Sequence, residues 1–478
     1  MKNILRKTAV LTMAMTALSF SGCLNYERPP LAVDSTSYTT LQENEKKLLP
    51  PDLKSLSLEE AQALAIANNP DFRSVLFAID SARARYYQQF SNYAPTINAG
   101  MSISQSFGKI YAADNHIYTR SQRDKYAPSL SGQLVIFDSL AREMNLLKAR
   151  HTLRQTEADV EDARRLLRRA TAYAYNDVLL AYAQKKIILA QIEYSKIMLK
   201  DAERKHKAGT VLLSDVLNFR VSLRNGQLEL VKIDYKIKSN LYVLAGCLGL
   251  TDGTIPSNVK FPEVTMPTDK MQLPLETYLD QAIANRPDLK GARERLQSLR
   301  YAFFGTLSAF GPTVSANFNL GYGYNRNISH DRTGDGHSWS SAGNFDYSLN
   351  VNWNLFNGFA DYFAVKAAKA EVSASDYMLY QIYLGVITDV RTAYDNHRSS
   401  IIQAKLAKDI CDLTRQTRDL VENEYKAGTV LVTRLNEAER DLVQAQNNLA
   451  TAVVNVANSR AQLEAAVYTF TSAPAADK

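Results

Sequence analysis

From Phe345 onward, apolar and polar side chains alternate without a break. Phe345, Tyr347, Leu349, Val351, Trp353 and Leu355 share one parity, and Asn344, Asp346, Ser348, Asn350, Asn352 and Asn354 the other. An earlier run does the same: Val314, Ala316, Phe318, Leu320, Tyr322 and Tyr324 oppose Thr313, Ser315, Asn317, Asn319, Gly321 and Gly323. Looser versions place Ile97, Ala99, Met101 and Ile103 opposite Asn98, Gly100, Ser102 and Ser104, and Leu130, Gly132, Leu134 and Ile136 opposite Ser131 and Gln133. A period of two gives a strand one apolar and one polar face. A soluble sandwich would line its polar face with Lys and Glu. Here that face is Asn, Ser, Thr and Gly, which predicts a transmembrane barrel with lipid outside and water inside. Strands are predicted over about 94–108, 125–137, 312–325 and 341–356, with polar hairpin loops at 109–124 and 326–340. Tyr126, Trp339, Phe345 and Phe356, near strand ends, read as an interfacial aromatic girdle. Four strands cannot close a barrel, and lipid does not tolerate an open edge, so several chains must pool their strands.

The rest of the pattern is helical. No Pro interrupts 139–205 or 358–424, and each stretch would be about 100 Å long as a helix. Leu153, Val160, Leu167, Ala174, Ala181 and Ile188 keep a seven-residue beat, as do Val372, Leu379, Val386 and Ala393. Returning helices are predicted over 211–248 and 430–467. Their seams are Leu212, Val216, Phe219, Leu223, Gly226, Leu230, Ile233, Ile237 and Leu244, and Leu431, Leu435, Ala438, Leu442, Ala445, Leu449, Ala452, Val456 and Leu463. Such a 4-3 step is a coiled-coil seam.

The two halves are copies. Ala65-Ile66-Ala67-Asn68-Asn69-Pro70-Asp71 recurs as Ala282-Ile283-Ala284-Asn285-Arg286-Pro287-Asp288, an offset of 282 − 65 = 217. Ala94-Pro95-Thr96 recurs as Gly311-Pro312-Thr313 at the same offset. Lys207-Ala208-Gly209-Thr210-Val211-Leu212 recurs as Lys426-Ala427-Gly428-Thr429-Val430-Leu431, an offset of 426 − 207 = 219. Each half therefore runs from a helical segment broken at Asn-Pro or Arg-Pro (56 to about 90, 273 to about 310), through two strands, to a long helix, a tight turn and a second long helix. The repeats are assigned to 56–272 and 273–468, followed by a tail over 469–478.

The N-terminus gives an address. Lys2, Arg6 and Lys7 precede an apolar run from Thr8 to Phe20, then Ser21-Gly22-Cys23. This is a secretory signal over 1–22, too short to span a membrane. Small residues before Cys23 resemble the bacterial lipobox, although Phe20 stands where Leu is usual. That resemblance implies a covalent lipid on Cys23, an anchored extension over 23–55 and, with Leu24 rather than Asp following, export to the outer membrane. No later stretch reaches 18 apolar residues, so a membrane crossing must use strands.

Composition mainly excludes. Of 478 residues, 56 are Lys or Arg and 49 Asp or Glu, a net charge of +7. Removing residues 1–22 leaves 7 − 3 = +4 with no long basic run, which argues against nucleic-acid binding. Three Cys exclude a disulfide scaffold and a four-thiolate metal site. Cys247 and Cys411 lie at heights above the turns that differ by roughly 30 Å, too far to bridge, so both are expected to be free. His330-Asp331 and Asp335-Gly336-His337 cluster in one segment without the full spacing of a calcium loop. There is no nucleotide, zinc-protease or nucleophile-elbow motif, and no catalytic set, so no enzyme or cofactor is expected.

The ordered set of a lipobox-like Cys, two repeats, paired strands before long helices and a Lys-Ala-Gly-Thr turn in each half resembles the TolC-type outer membrane factors. Tyr26-Glu27-Arg28-Pro29 is similar to the Tyr-x-Arg-Pro of their lipidated efflux branch. Val135-Ile136-Phe137-Asp138 and Asn354-Leu355-Phe356-Asn357-Gly358 resemble their strand-to-helix step. The resemblance implies an α+β membrane protein: a homotrimer with a twelve-stranded transmembrane β-barrel, continued by a coiled-coil α-helical barrel in the periplasm. It implies the exit duct of a tripartite system with a periplasmic adaptor and an RND-type or ABC-type inner-membrane pump. The turns Lys207, Ala208, Gly209, Thr210 and Lys426, Ala427, Gly428, Thr429 would form the adaptor-docking tip. Tyr425, Arg434 and Glu437 fall on the family's gating positions, with Arg434 replacing an acid and Asp215 at the matching first-repeat position. Arg434 and Asp215 are expected to pair across neighbouring helices, and Glu437 to line the narrowest point. Type I protein secretion and a non-channel envelope scaffold remain open as alternatives to small-molecule or metal-ion efflux.

Overall fold

The computed structural model describes residues 54–112, 117–256, 258–266, 273–331 and 334–469. The signal segment, Cys23, Tyr26 to Pro29 and nearly all of the C-terminal tail lie outside them. In chain order the elements are α1 (Leu58–Asn68), α2 (Pro70–Gln88), β1 (Thr96–Ala112), β2 (Ile117–Phe137), α3 (Ala141–Lys207) and α4 (Leu213–Cys247). The second half repeats them as α5 (Leu275–Asn285), α6 (Pro287–Leu307), β3 (Thr313–Asp331), β4 (Gly334–Asn352), α7 (Ala360–Lys426) and α8 (Val432–Val467).

The strands form one antiparallel sheet in the order β1-β2-β3-β4, leaving β1 and β4 as free edges within the chain. They are longer than their alternation predicts. The segments 109–124 and 326–340, expected as loops, are largely strand, with Lys109 opposite Arg120 and Arg326 opposite Trp339. The alternation stops where the apolar belt ends, because above the membrane both faces meet water, yet the ladder bonds continue. Phe345 accordingly sits inside the belt, level with Leu320 and Leu130, rather than at its rim. The upper rim is Tyr126, Tyr324 and Trp339, whose rings lie 6.2 and 5.6 Å apart in succession. Along β3 the apolar positions from Val314 to Tyr324 span roughly 33 Å of strand, which at a barrel tilt gives a belt of about 25 Å. Tyr347, in mid-belt, is 83% exposed in the single chain.

A bulge between Val135 and Phe137 ends β2. The chain then turns into α3 through two left-handed residues, Ser139 and Leu140, with φ of 56° and 71°. The second repeat does this at the equivalent Gly358 and Phe359, φ 69° and 66°. Asp138 accepts from the Arg142 N–H at 3.0 Å, and its counterpart Asn357 from the Asp361 N–H at 3.4 Å. Each thus takes up a first-turn N–H of its helix from two residues ahead of the N-cap positions, Leu140 and Phe359, whose own side chains cap nothing. A left-handed Leu and Phe cost about 1–2 kcal/mol each.

The long helices pack as the heptads predict, with Ala181, Ile188, Ile192, Ile233 and Ile237 forming one α3–α4 cluster. Gly226 lets the seam close: a Cβ there would come within 2.9 Å of Ile192 Cγ1. The first seam positions are exceptions. Leu212 and Leu431 are 73% and 76% exposed, because both precede the first helical turn. Cys247 and Cys411 are free thiols on different helices, each pushed up in pKa by burial.

At mid-height α1 and α5 brace the long helices, and the two repeats solve one problem differently. Asn69 Nδ2 donates to the Cys247 carbonyl at the end of α4 at 3.0 Å. At the matching place Arg286, 3% exposed, reaches the Ala466 carbonyl at the end of α8. It also binds Asp288 at 2.6 Å and Asp389 at 3.1 Å. Burial opposes ionisation of Asp288, but hydrogen bonds and charge from Arg286, together with Arg165, outweigh it and hold the carboxyl below its usual range. Its stabilisation is thus present above the ordinary carboxylate pKa and is lost as pH falls through the lowered one.

Removing one partner of such a buried pair strands the others. Arg286→Ala is expected to lower the free energy of local opening by about 2–3 kcal/mol at residues 285–290 and 462–468. Arg83→Ala, which breaks an exposed pair with Asp80, should change it by less than about 0.5 kcal/mol. Hydrogen–deuterium exchange on the two variants measures both.

Candidate functional site at the helical tip

The turns joining α3 to α4 and α7 to α8 lie at the end of the molecule far from the sheet, and they are the same structure twice. Gly209 and Gly428 adopt φ of 76° and 78°, the left-handed closure that Gly makes without Cβ strain. In the first turn the Gly209 N–H reaches the His206 carbonyl at 2.9 Å and the Thr210 N–H the Lys205 carbonyl at 3.0 Å. In the second, Gly428 reaches Tyr425 at 3.1 Å and Thr429 reaches Glu424 at 3.0 Å. Each Thr hydroxyl adds a second bond to that carbonyl, at 2.9 Å in both copies. The repeat exposed the Gly but not this role of Thr, which depends on a bond five residues back. Lys207, Ala208, Gly209 and Thr210, and Lys426, Ala427, Gly428 and Thr429, are all exposed.

Behind the turns all four long helices meet in one apolar cluster. Met198 and Ala202 come from α3, Val216 and Phe219 from α4, Val421 from α7, and Val432, Leu435 and Ala438 from α8. Tyr425 lies at the seam between the two hairpins. Its ring packs edge-on against Phe219 at 6.1 Å, with Lys205 Nζ 5.5 Å from its centroid. Its hydroxyl is buried without a hydrogen-bond partner. Burial, then Asp215 and Asp201, push its pKa up. The structure therefore brings Tyr425 and Asp215 into one neighbourhood.

Arg434 and Asp215 do not pair within the chain. Arg434 Nη1 instead lies 3.4 Å from Glu437 Oε2, three residues along the same helix. Asp215 Oδ1 accepts from the Ser214 hydroxyl at 3.4 Å. The reason is packing: α8 lies against α3, with little contact to α4. Arg434 and Glu437 are both more than half exposed, and such a pair is worth about 0–1 kcal/mol.

Sequence patterning missed a second layer above this one. Arg418 on α7 stacks on the Tyr194 ring of α3 at 5.3 Å, binds Glu422 at 3.0 Å and lies 3.8 Å from Glu439 on α8. Lys426 completes Glu422 at 2.6 Å. Tyr194 Oη and Glu439 Oε2 are buried with no hydrogen bond. Burial first, then Glu422 and Asp419, raise the Glu439 carboxyl, and Arg418 opposes without cancelling. Arg418 and Glu422 share the i,i+4 spacing of any solvated pair, and Glu439 beside the Ala438 seam position looks like a rim charge. Only the third helix reveals the cluster. Elsewhere, the backbone register pairs position His330 with Asp335 across the β3–β4 ladder. Among the described residues no group of three or more His, Cys, Asp or Glu is arranged to hold a metal.

A family model described as outer membrane efflux protein matches residues 62–250 and 278–467, one match per repeat. Outer membrane protein TolC of Escherichia coli (strain K12) is 24% identical over 460 residues, covering 89% of this chain and 87% of its own. Among solved structures, CusC, described in terms of folding and transmembrane channel formation, superposes with a TM-score of 0.71 at 17% identity, over 93% of this chain and 98% of its own. The outer membrane channel CmeC of Campylobacter jejuni gives 0.69 at 18% identity, over 88% and 91%.

A carboxyl whose pKa is raised by folding stabilises fully below its unfolded value and loses that contribution as pH rises through the folded one. Tip stability is therefore expected to fall as pH rises across the raised Glu439 value. Glu439→Gln should remove that dependence and add roughly 1 kcal/mol at neutral pH. Amide exchange over residues 415–440 between about pH 5 and 7.5, corrected for intrinsic rates, reads the difference.

Proposed function

Because this chain belongs to the outer membrane efflux protein family, we propose that three copies of it form the exit duct of a tripartite efflux system. Small molecules or metal ions handed over by an inner-membrane pump and a periplasmic adaptor would pass outward through it without energy input. One observation carries this reading. A four-stranded sheet with an apolar face, a polar face and two unpaired edges stands on helices of 67 residues. Edge N–H and C=O groups in lipid have no water to turn to. Joining β4 of one copy to β1 of the next satisfies them, and three copies give twelve strands.

The flanks of the helical stalk support the same closure. Contacts run α4 to α3, α3 to α8 and α8 to α7, so α4 and α7 are the outermost long helices. On α4, Leu217, Val231 and Tyr235 are exposed at 217 − 209 = 8, 231 − 209 = 22 and 235 − 209 = 26 residues from Gly209. On α7, Leu420, Leu406 and Ile402 are exposed at 428 − 420 = 8, 428 − 406 = 22 and 428 − 402 = 26 residues from Gly428. Two different apolar flanks matched in height suit a head-to-tail contact that closes a ring.

At the tip, Tyr425, Arg434, Glu437 and Asp215 act in this reading as the periplasmic gate, with Glu437 at the narrowest point. The two exposed turns, with Leu212 and Leu431 beside them, dock the adaptor. A covalent lipid on Cys23 anchors each chain to the outer membrane. The pump is RND-type or ABC-type.

Val231→Asp or Leu406→Asp places a charge in the proposed contact between copies and is expected to convert the trimer to monomer on detergent sizing. Cross-linking in living cells followed by purification is expected to recover an adaptor and a proton-driven pump. Leu212→Asp/Leu431→Asp should lose the adaptor while keeping the trimer. Recovery of an ATP-driven exporter would move the reading to type I secretion, and a lone monomer outside the outer membrane would end it.

A further inference from the structure

The polar face of the sheet is not evenly charged. The ladder sets its residues in rows. A low row is Asn98, Ser131, Asn319 and Asp346. Two high rows are Ser104, Lys125, Asn325 and Ser340, then Ser106, Arg123, Asn327 and Ser338. Arg123 Nε donates to Asn327 Oδ1 at 2.9 Å, which holds the guanidinium on this face. The high rows thus carry two cations and no carboxylate, and the next row up, Gly108, Ser121, Ser329 and Gly336, is neutral. The opposite face at the same height is balanced: Asp124 accepts from Gln105 at 2.9 Å, and Arg326 lies on Trp339 at 4.9 Å.

Asp346 cannot neutralise the high rows. It is level with Ser131, six residues below Lys125, or about 20 Å along the strand. That exceeds the screening length of about 8 Å at physiological salt. Both cations are exposed and sit on paired strands rather than on a loop, so their positions are fixed.

We propose that Arg123 and Lys125, repeated in three copies, form a cationic collar at the outer mouth of the lumen that favours anionic cargo over metal cations. This rests on the duct reading above, in which the polar face lines the lumen. Rings of Arg and Lys in a pore with low-dielectric walls attract anions and repel cations, and six charges in two adjacent rows set that bias at the exit.

The test is the reversal potential of the purified protein in planar bilayers under a KCl gradient. At about 0.01–0.1 M salt the parent is expected to prefer chloride, and a Arg123→Ser/Lys125→Ser variant to lose at least about twofold in the chloride-to-potassium permeability ratio. Arg123→Glu/Lys125→Glu should shift it further towards potassium, and Asp346→Asn should raise chloride preference. In the parent itself the preference should fade near 1 M salt, where screening reaches about 3 Å, a readout that needs no variant to fold. Channels whose reversal potential is unmoved by the serine pair, or a Glu437→Gln channel that still prefers potassium at low salt, would overturn the collar while leaving the duct intact. Absence of conductance from both the parent and Tyr425→Ala would remove the duct reading itself.

Discussion

Everything in this molecule follows from hydrogen-bond groups that one chain cannot satisfy alone. β1 and β4 each offer a row of unpaired N–H and C=O groups beside a lipid-facing surface, where no water can replace a missing partner. A soluble protein would cover or charge such edges. Here they are long and lie beside Ile97, Phe345 and Tyr347. The cheapest solution available to identical chains is to join edges in a ring. The matched apolar flanks of α4 and α7 extend that solution some 40 Å along the stalk from the tip.

The duplication supplies the stalk with two nearly equivalent hairpins, and the tip shows how differently they are held. The outermost charges, Arg434 and Glu437, are exposed and loosely paired. Behind them the Phe219–Tyr425 contact and the Arg418 cluster tie all four long helices together. Movement at the end of α8 therefore meets little resistance from its surface charges. A larger separation of α7 and α8 from α3 and α4 must break an aromatic contact and a set of half-buried ions together.

Much of this was legible in the sequence because it rests on periodicity. Two offsets gave the repeat, strict alternation gave the belt, and heptads gave the α3–α4 and α7–α8 seams to within about two residues of their ends. What escaped was whatever lacks a period. The strands run on past the belt because ladder bonds are indifferent to side chains once both faces are wet, so 109–124 and 326–340 looked like loops. Leu212 and Leu431 continued the heptad by count although no helix yet exists there. The proposed pairing of Arg434 with Asp215 required knowing which helices touch, and Glu439 became notable only when Tyr194 and Arg418 arrived from elsewhere in the chain.

The mid-height junction bears on how the two halves came to differ. In the first, Asn69 meets the end of α4 as a neutral group, and the position matching Asp389 is Ala170. In the second, Arg286 does the work, buried against the half-buried Asp288 and reaching the exposed Asp389 on its outer side. A buried guanidinium could enter that place only alongside an acceptor for it, and afterwards Asp288 could not be lost cheaply. The copies have thus become non-interchangeable: a chimaera that mixes their residues at this joint inherits an orphaned charge. Divergence of the ancestral tandem gene was, at this point, a ratchet.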